Sequence, residues 1–311
     1  MVAYAWKSWL FSRKILRQER FDLLHAFFSV PSGFVALLLR LEFGVPFLVS
    51  LRGSDVPGYS ERFKNMYPLL RPVTRSIWRH AARVIANSEG LRTLALLTDA
   101  SRDIAIIRNG VDTEEFFPVP REYTARPEVP FRILAIARLT PRKGLRTLLE
   151  AMLILQNRKQ RVFTLDIAGD GDERLMLETF VREKGLSDRV RFLGRVPHRD
   201  IVPLYHRAHV YVLPSLSEGM SNNVLEAIAS GLPIITTDTG GTRELVEEGR
   251  NGCVIRMNDP EHIVEKIVFL AEHPEQARLY GMESRRRALE LGWVEVAKSY
   301  RKAYQDITKS S

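Results

Sequence analysis

Two carboxylates, Glu218 and Glu226, stand eight residues apart in a run that reads Leu-Pro-Ser-Leu-Ser-Glu-Gly-Met-Ser-Asn-Asn-Val-Leu-Glu-Ala from Leu213 to Ala227. A carboxylate accepts hydrogen bonds from hydroxyls, and the free amides of a helix start suit an anion. The spacing could therefore hold a ligand that carries both hydroxyls and phosphate. Glu226 is flanked by Val224, Leu225, Ala227 and Ile228, where an unpartnered carboxylate costs on the order of several kcal/mol or takes up a proton. It demands a partner. Gly219, directly after Glu218, lets backbone approach a ligand closely. A plainer reading pairs Glu226 with an internal arginine and leaves Glu218 to cap the turn. Paired carboxylates also suggest a glycosidase, but a glutamate set in a helix beside an anion site favours recognition over acid–base chemistry.

Arg138 and Lys143 supply cations. Arg138 follows a strand-like apolar run, 131–137, and Lys143 leads into the next helix. Both should emerge at the carboxyl end of a strand, where open α/β sheets bind ligands. Fixed cations there lower the barrier to a reaction in which negative charge develops on departing phosphates. Taken alone, the pair reads as surface charge at a turn. Beside these cations a divalent ion is unnecessary, and the seven histidines, His25, His80, His198, His206, His209, His262 and His273, offer no ligand set, so no metal is expected. His25 stands apart because it ends a strand. No Gly-x-Ser-x-Gly elbow supports a serine nucleophile.

The elements that must position these groups follow from hydrophobic periodicity. Strand-like runs fall at 22–28, 45–51, 84–86 and 104–107, with helices near 32–42, 61–82 and 89–97. A polar, proline-containing stretch, 118–130, reads as a linker. Further strands are expected near 131–137, 163–168, 189–193, 209–213, 232–236 and 253–256, and closing helices near 260–272, 275–290 and 293–308. Alternation of strand and helix is the pattern of parallel α/β sheets. Ser221-Asn222 is a good N-cap pair for the helix that carries Glu226.

Taken together, the Glu-x7-Glu run and its companions resemble the retaining glycosyltransferases of family 4, which have the GT-B fold. The stretch Ala137-Arg138-Leu139-Thr140-Pro141-Arg142-Lys143-Gly144 is similar to that family's diphosphate-binding Arg and Lys. Ile167-Ala168-Gly169-Asp170-Gly171 is similar to its Gly-rich turn, and Phe192-Leu193-Gly194-Arg195-Val196 to its nucleobase loop. Ile107-Arg108-Asn109-Gly110-Val111-Asp112 and Phe117-Pro118 resemble the segment that ends its first domain. The likeness covers most of the chain from about residue 20 onward. The joint signal is specific, whereas a lone Gly-Asp-Gly is just a turn.

The resemblance implies an α/β protein of GT-B type: two Rossmann-like parallel-sheet domains facing each other across a cleft, the N-terminal one incomplete. It divides the chain into an acceptor-side domain, 1–117, a linker, 118–130, and a nucleotide-sugar-binding domain, 131–311, whose last helix packs back on the first. Arg138, Lys143 and Glu218 would be the catalytic groups. Gly169, Val196, Gly219, Met220, Ser221, Asn222, Asn223, Val224 and Glu226 would bind the donor, with Glu226 accepting from ribose hydroxyls and Glu218 contacting the sugar. His25 and Arg52 are acceptor-side candidates. The implied reaction is hexosyl-type transfer from a nucleoside-diphosphate sugar to a glycan, lipid-linked or polysaccharide-precursor acceptor, metal-independent and with no cofactor beyond the donor.

Composition agrees with an enzyme of this kind. At 311 residues and 45% hydrophobic content, two domains can each bury a core. The one cysteine, Cys253, rules out an internal disulfide and lies in an apolar run, which suggests a core position in a reducing compartment. No apolar run is long enough to span a bilayer, and the block around Trp6 to Phe11 is too short for a secretory signal and reads as an amphipathic helix. A cytoplasmic location is expected. The formal charge of +9 is uneven: residues 1–112 hold 16 Lys and Arg against 9 Asp and Glu. Such a basic, aromatic-rich part suits an anionic membrane surface or a phosphate-bearing acceptor. Equally it can be a solvated face. No recognition motif points to nucleic acid.

Two departures from the family pattern stand out. The chain begins inside what would be a later helix, without the opening strand, Gly-rich turn and helix. A misassigned start, a fragment and a reduced protein that needs a partner each fit, and the last makes a noncatalytic nucleotide-sugar-binding subunit the alternative function. A hydrolase or epimerase on a similar fold is a third reading. In Ser50-Leu51-Arg52-Gly53-Ser54-Asp55, Arg52 stands where the family often has His. Arg stays protonated at neutral pH and cannot act as a base. It either binds a phosphate or carboxylate or pairs with Asp55.

Overall fold

Apolar strands alternating with amphipathic helices build two parallel sheets, one in each of two units. The computed structural model describes residues 2–59, 65–158 and 161–309. The first unit comprises Met1–Asn109 with Val294–Ser311, and the second Gly110–Trp293. No helix among the described residues is long and apolar enough to cross a membrane.

In the first unit, strands β1 (Leu24–Phe27), β2 (Phe47–Ser50), β3 (Arg83–Ala86) and β4 (Ile104–Ile106) pair in that order, all parallel. Around them lie helices α1 (Val2–Gln18), α2 (Phe34–Phe43), α3 (Tyr67–His80) and α4 (Glu89–Leu96). Strand β2 is buried along its whole length, as a central parallel strand must be. Phe47 and Val49 belong to a cluster with Trp78, Ile77 and Leu37. Leu48, one residue out of phase, joins a second cluster with Val296, Ala303 and Ile307 of the chain's last helix, α12 (Trp293–Lys309). The period of two along β2 thus recruits α12 to the first unit. Ser88 caps α4 by accepting from the Leu91 N–H at 3.1 Å. The helix expected over 61–82 is α3, beginning at Tyr67; residues 60–64 lie outside the described residues.

The second unit carries a six-stranded parallel sheet among its described residues, in the order β10-β9-β8-β5-β6-β7. The strands are β5 (Phe131–Ile136), β6 (Phe163–Ala168), β7 (Val190–Gly194), β8 (Val210–Leu213), β9 (Ile234–Thr237) and β10 (Gly252–Ile255). The chain steps outward from β5 to β7, then returns to lay β8 on the other side of β5. That reversal opens a crevice beyond the carboxyl ends of β5 and β8, where ligands bind in such sheets. Helices α5 (Leu145–Arg158), α6 (Arg174–Glu183), α7 (Val202–Arg207), α8 (Asn222–Ala229), α9 (Thr242–Leu245), α10 (Pro260–Glu272) and α11 (Pro274–Leu289) complete it. Cys253 is a core residue of β10, and burial pushes its thiol up to about 12.

The unit boundary falls between Asn109 and Gly110, ahead of the stretch read as a linker, and residues 118–130 belong to the second unit. The physical reason lies in side chains of and around this stretch: the Tyr123 hydroxyl donates to the His209 carbonyl at 3.1 Å and Arg161 to the Val129 carbonyl at 3.2 Å, and one arginine does more. The Arg121 guanidinium donates to the carbonyls of Tyr205 (3.1 Å), Ala208 (3.1 Å), Ser230 (2.8 Å) and Gly231 (3.3 Å). It thereby satisfies carbonyls just beyond and at the ends of α7 and α8 that no helix bond reaches. Arg285 acts similarly on the carbonyls of Thr113, Phe116 and Ala229.

Two stability predictions follow from buried groups. Replacing Arg121 by Met should cost about 2–4 kcal/mol by urea unfolding, because several partly buried carbonyls lose their donor at once; a loss within error of zero would show the segment to be a passive tether. His209, whose Nδ1 accepts the Arg132 backbone N–H at 3.0 Å, is held down to about 3, first by burial and then by Arg132, Arg161 and Arg121. Between the ordinary histidine value and that one, the unfolded chain binds a proton the folded chain does not. Stability should therefore fall as pH drops below about 6.5, by up to about 1.4 kcal/mol per pH unit for this group. The slope should be shallower in His209→Gln, and an equal slope would assign the acid sensitivity elsewhere.

Candidate functional site

The β5/β8 crevice holds a cavity of about 410 Å³. Each wall is the end of a strand: Ala137 and Arg138 after β5, Gly169 and Asp170 after β6, Arg195 and Val196 after β7, with Asn223 of α8 closing it. Gly169 has φ +138°, and a Cβ there would overlap the carbonyl oxygen of Ala137. Only glycine lets the β6 and β5 ends approach this closely. The Gly169 N–H is taken by the Gly194 carbonyl at 2.8 Å, which ties the turn to β7. Asn223 donates to the Ile136 carbonyl at 2.6 Å and so fixes the start of α8 against the end of β5.

Glu226 has the partner its apolar setting demands, and it is not an arginine. The Tyr205 hydroxyl donates to its Oε2 at 2.7 Å, and His198 Nε2 stands 3.8 Å from Oε1. Tyr205 is fully buried, and burial followed by the Glu226 charge pushes its phenol well above the ordinary value, so it keeps its proton and can only donate here. Burial raises Glu226 above the usual carboxylate range, while the Tyr205 bond and His198 oppose the rise. One carboxylate oxygen is thus spoken for. The other faces a half-solvated histidine.

Glu218 and Lys143 meet. The Lys143 ammonium pairs directly with Glu218 Oε1, both side chains largely buried, and the Ser215 hydroxyl donates to the same oxygen at 2.9 Å. The turn Pro141–Lys143 is brought there by Gly144, at φ +63°, where a Cβ would overlap the carbonyl of Pro214, and by the Leu216 N–H donating to the Arg142 carbonyl at 2.7 Å. Under Glu218 lies Gly240, at φ +42°, whose absent side chain makes room for the Glu218 carbonyl.

The predicted residues of the second half therefore gather at one end of one sheet. Arg138, Gly169, Val196 and Asn223 line the cavity. Glu218, Gly219, Ser221 and Val224 share a smaller recess beside it. Asn222 opens α8, and Met220 packs into the core beneath. Ser221 occupies the N-cap position but its side chain makes no capping bond, which leaves the first-turn amides of α8 without a side-chain acceptor from it. Arg138 and Arg195 are exposed and make no ion pair among the described residues. Sequence reasoning missed Tyr205, His198, Ser215 and Gly240. The Gly240-Gly241 pair was a readable signal, and Ser215 stands only three residues before Glu218 in the same run; Tyr205 and His198 are brought in by the fold. It also passed over Asp170-Gly171-Asp172, an Asp-x-Asp sequence whose Asp170 lines the cavity, accepts from the Gly171 N–H at 2.8 Å and lies 3.5 Å from Arg174.

His25 and Arg52 lie in the first unit: His25 does not end its strand but is the second residue of β1, whereas Arg52 follows the carboxyl end of β2. His25 is bonded to Tyr304 through Nδ1 and to Ser50 through Nε2, each at 2.8 Å. Burial, then the charge of Arg52, holds its imidazole down to about 4. Arg52 does not pair through its guanidinium with Asp55. The Asp55 carboxylate instead accepts the backbone N–H groups of Arg52 (3.0 Å), Gly53 (3.1 Å) and Ser29 (2.8 Å) and braces the turn.

Comparison with known proteins places this architecture. The family model for glycosyl transferases group 1 matches residues 119–287, and that for glycosyltransferase family 4 matches residues 2–115. An uncharacterized glycosyltransferase of Methanocaldococcus jannaschii is 25% identical over 307 residues, covering 99% of this chain and 82% of that protein. The amylovoran biosynthesis glycosyltransferase AmsK of Erwinia amylovora is 29% identical over 225 residues; the match takes in 68% of this chain and 51%, about half, of that relative's length. The structure of HepE from Anabaena in complex with UDP and glucose superposes with a TM-score of 0.79 at 20% identity, covering 94% of this chain and 80% of that one. The two parallel-sheet units have the GT-B fold.

Tyr205→Phe tests the Glu226 pairing. Removing the hydroxyl leaves a buried carboxylate short of a donor, so the variant should lose about 1–3 kcal/mol at pH 7. Below the pH at which Glu226 takes up a proton the deficit should shrink. A deficit that is the same at pH 7 and pH 5 would mean the hydroxyl serves packing or the Asn223 carbonyl, not the carboxylate.

Proposed function

This chain belongs to the glycosyl transferases group 1, and from that premise we propose that it moves a hexosyl-type sugar from a nucleoside-diphosphate donor to a glycan, lipid-linked or polysaccharide-precursor acceptor, with retention of anomeric configuration. The observation that carries the reading is the β5/β8 crevice. Two cations without carboxylate partners among the described residues, Arg138 and Arg195, line the same cavity as Asn223, and Glu226 stands on the next turn of the same helix. That is a set of groups for a dianionic linker with a hydroxylated sugar on either side. HepE was captured with UDP and glucose, and AmsK serves amylovoran biosynthesis, which supports a nucleotide-sugar donor and a polysaccharide setting.

The Lys143–Glu218 pair gives the reading a chemical sequence. An entering pyrophosphate competes with Glu218 for the Lys143 ammonium, and the released carboxylate is free to accept from the sugar's hydroxyls. Glu226 accepts from the ribose hydroxyls. The bond from C1 to the phosphate oxygen breaks and the bond from C1 to the acceptor oxygen forms on the same face. The acceptor's proton passes to the departing phosphate. Arg138, Lys143 and the amide end of α8 offset the charge that grows on that leaving group. The offset comes from the chain's own cations, so the reading needs no divalent ion. Contact with an anionic membrane is assigned to α1, where Trp6, Leu10 and Phe11 are exposed beside Lys7 and Lys14.

Three measurements bear on this. Glu226→Gln should weaken UDP-sugar binding about tenfold or more while the protein stays folded; unchanged affinity would remove the carboxylate from donor recognition. Lys143→Ala should lower kcat about a hundredfold and change donor Kd far less, since its charge matters most as the leaving group forms. Equal rates in variant and parent would take it out of the chemistry. Turnover should persist in excess EDTA. Donor binding without any sugar transfer by the parent chain would favour a binding subunit over an enzyme.

A further inference from the structure

The carboxyl ends of β1 and β2 carry a cation whose charge the fold leaves open. Arg52 is half-buried, and its guanidinium donates to two neutral oxygens, Asn109 Oδ1 at 2.6 Å and the Tyr300 hydroxyl at 3.2 Å. No carboxylate among the described residues pairs with it. The carboxylate nearest in sequence, Asp55, is occupied by backbone amides and the Ser29 hydroxyl. Placing a cation in a partly desolvated position without a counter-ion is unfavourable, and a fold that merely needed a hydrogen-bond donor there could use a neutral one. His25, 2.8 Å from Ser50, is neutral at pH 7 because burial and Arg52 itself depress it to about 4. The cluster therefore presents a fixed positive fork with most of its donors still available.

Beside that fork the surface is aromatic and strained. Arg52 lies over the Phe27 ring at 4.9 Å, and His25 stacks on the same ring at 4.2 Å. Phe27 is 45% exposed and Phe28 39% exposed. Phe28 has φ +74° and ψ 141°, a region that only glycine enters without strain. The strain is held by the Phe28 N–H donating to the Ser50 carbonyl at 2.9 Å and by the Gly33 N–H donating to the Phe28 carbonyl at 3.0 Å. Two large apolar rings are thus kept partly open to solvent at a strained bend.

We propose that Arg52 is the receptor for a negatively charged group on the acceptor, a phosphate or a carboxylate, and that Phe27 and Phe28 form the apolar floor on which the acceptor's sugar ring lies. A guanidinium fork matches the two oxygens of either anion. The acceptor is then an anionic saccharide, which narrows the substrate class and rests on the donor reading above. Asn109 and Tyr300 are positioning residues: by accepting from the guanidinium they fix the fork in place.

The test uses the full chain with UDP saturating, so that the donor site is filled and UDP affinity itself reports independently on the donor reading. Binding of methyl α-glucuronide, glucose 6-phosphate and neutral methyl α-glucoside is then measured by calorimetry. At least one anionic probe should bind about tenfold or more tightly than the neutral one, and which of the two does so separates a carboxylate-bearing from a phosphate-bearing acceptor. Arg52→Gln should abolish that preference with UDP affinity unchanged, Arg52→Lys should keep part of it, and Phe27→Leu should weaken all sugar probes together. Equal affinity for charged and neutral probes in the parent, no saturable binding of any probe, or a preference that survives Arg52→Gln would each overturn the proposal. Failure of UDP to bind would instead count against the donor site.

Discussion

The second unit is organised around a carboxylate placed where carboxylates are expensive. Glu226 sits in α8 between Leu225 and Ala227, both fully buried, and one hydrogen bond, from Tyr205, makes that position tenable. Keeping this bond constrains much else. Tyr205 must be held on α7, which Arg121 ties to the end of α8 through shared carbonyls. The start of α8 must be held on β5, which Asn223 does. A hydrophobic residue at 226 would need no such donor.

The same logic distinguishes the arginines. Many of them are engaged on protein: Arg121 and Arg285 on carbonyls, Arg191 on Asp166, Arg286 on Glu283 and Glu290. Such surface ion pairs add little stability each, but they leave no charge over. Arg138 and Arg195 differ in having no side-chain partner among the described residues, and Arg52 in meeting only two neutral side-chain oxygens and the Phe27 ring. All three lie at carboxyl ends of parallel strands, where the topology leaves a crevice rather than a packed surface. Lys143 is intermediate, since its charge is matched by Glu218.

Glycine sets the scale of the β5/β8 crevice. Gly144, Gly169 and Gly240 each adopt positive φ with a neighbouring carbonyl where a Cβ would be. They bring the β5 turn onto the β8 loop, the β6 end onto the β5 end and the β9 loop under Glu218. Backbone amides and carbonyls thereby come within reach of a ligand that side chains would hold away.

Periodicity located every strand of both sheets to within two or three residues, because each strand is a short apolar run and each helix between them has a distinct polar face. Residue type and spacing also singled out Arg138, Lys143, Gly169, Glu218 and Glu226, and the structure gathers them at one end of the second sheet. The unit boundary was not legible: 118–130 reads as polar linker, and what binds it is a guanidinium meeting four carbonyls that are 84 to 110 residues away in sequence. Nor could sequence name the partner of Glu226. It fixed that a buried carboxylate needs a donor, and several buried polar side chains could have supplied one. Which hydroxyl reaches it depends on where α7 crosses α8, and whether Lys143 is free or paired depends on how closely Gly144 lets two loops approach. Local spacing determines which groups can do chemistry; long-range packing alone determines which of them are left with charge to offer.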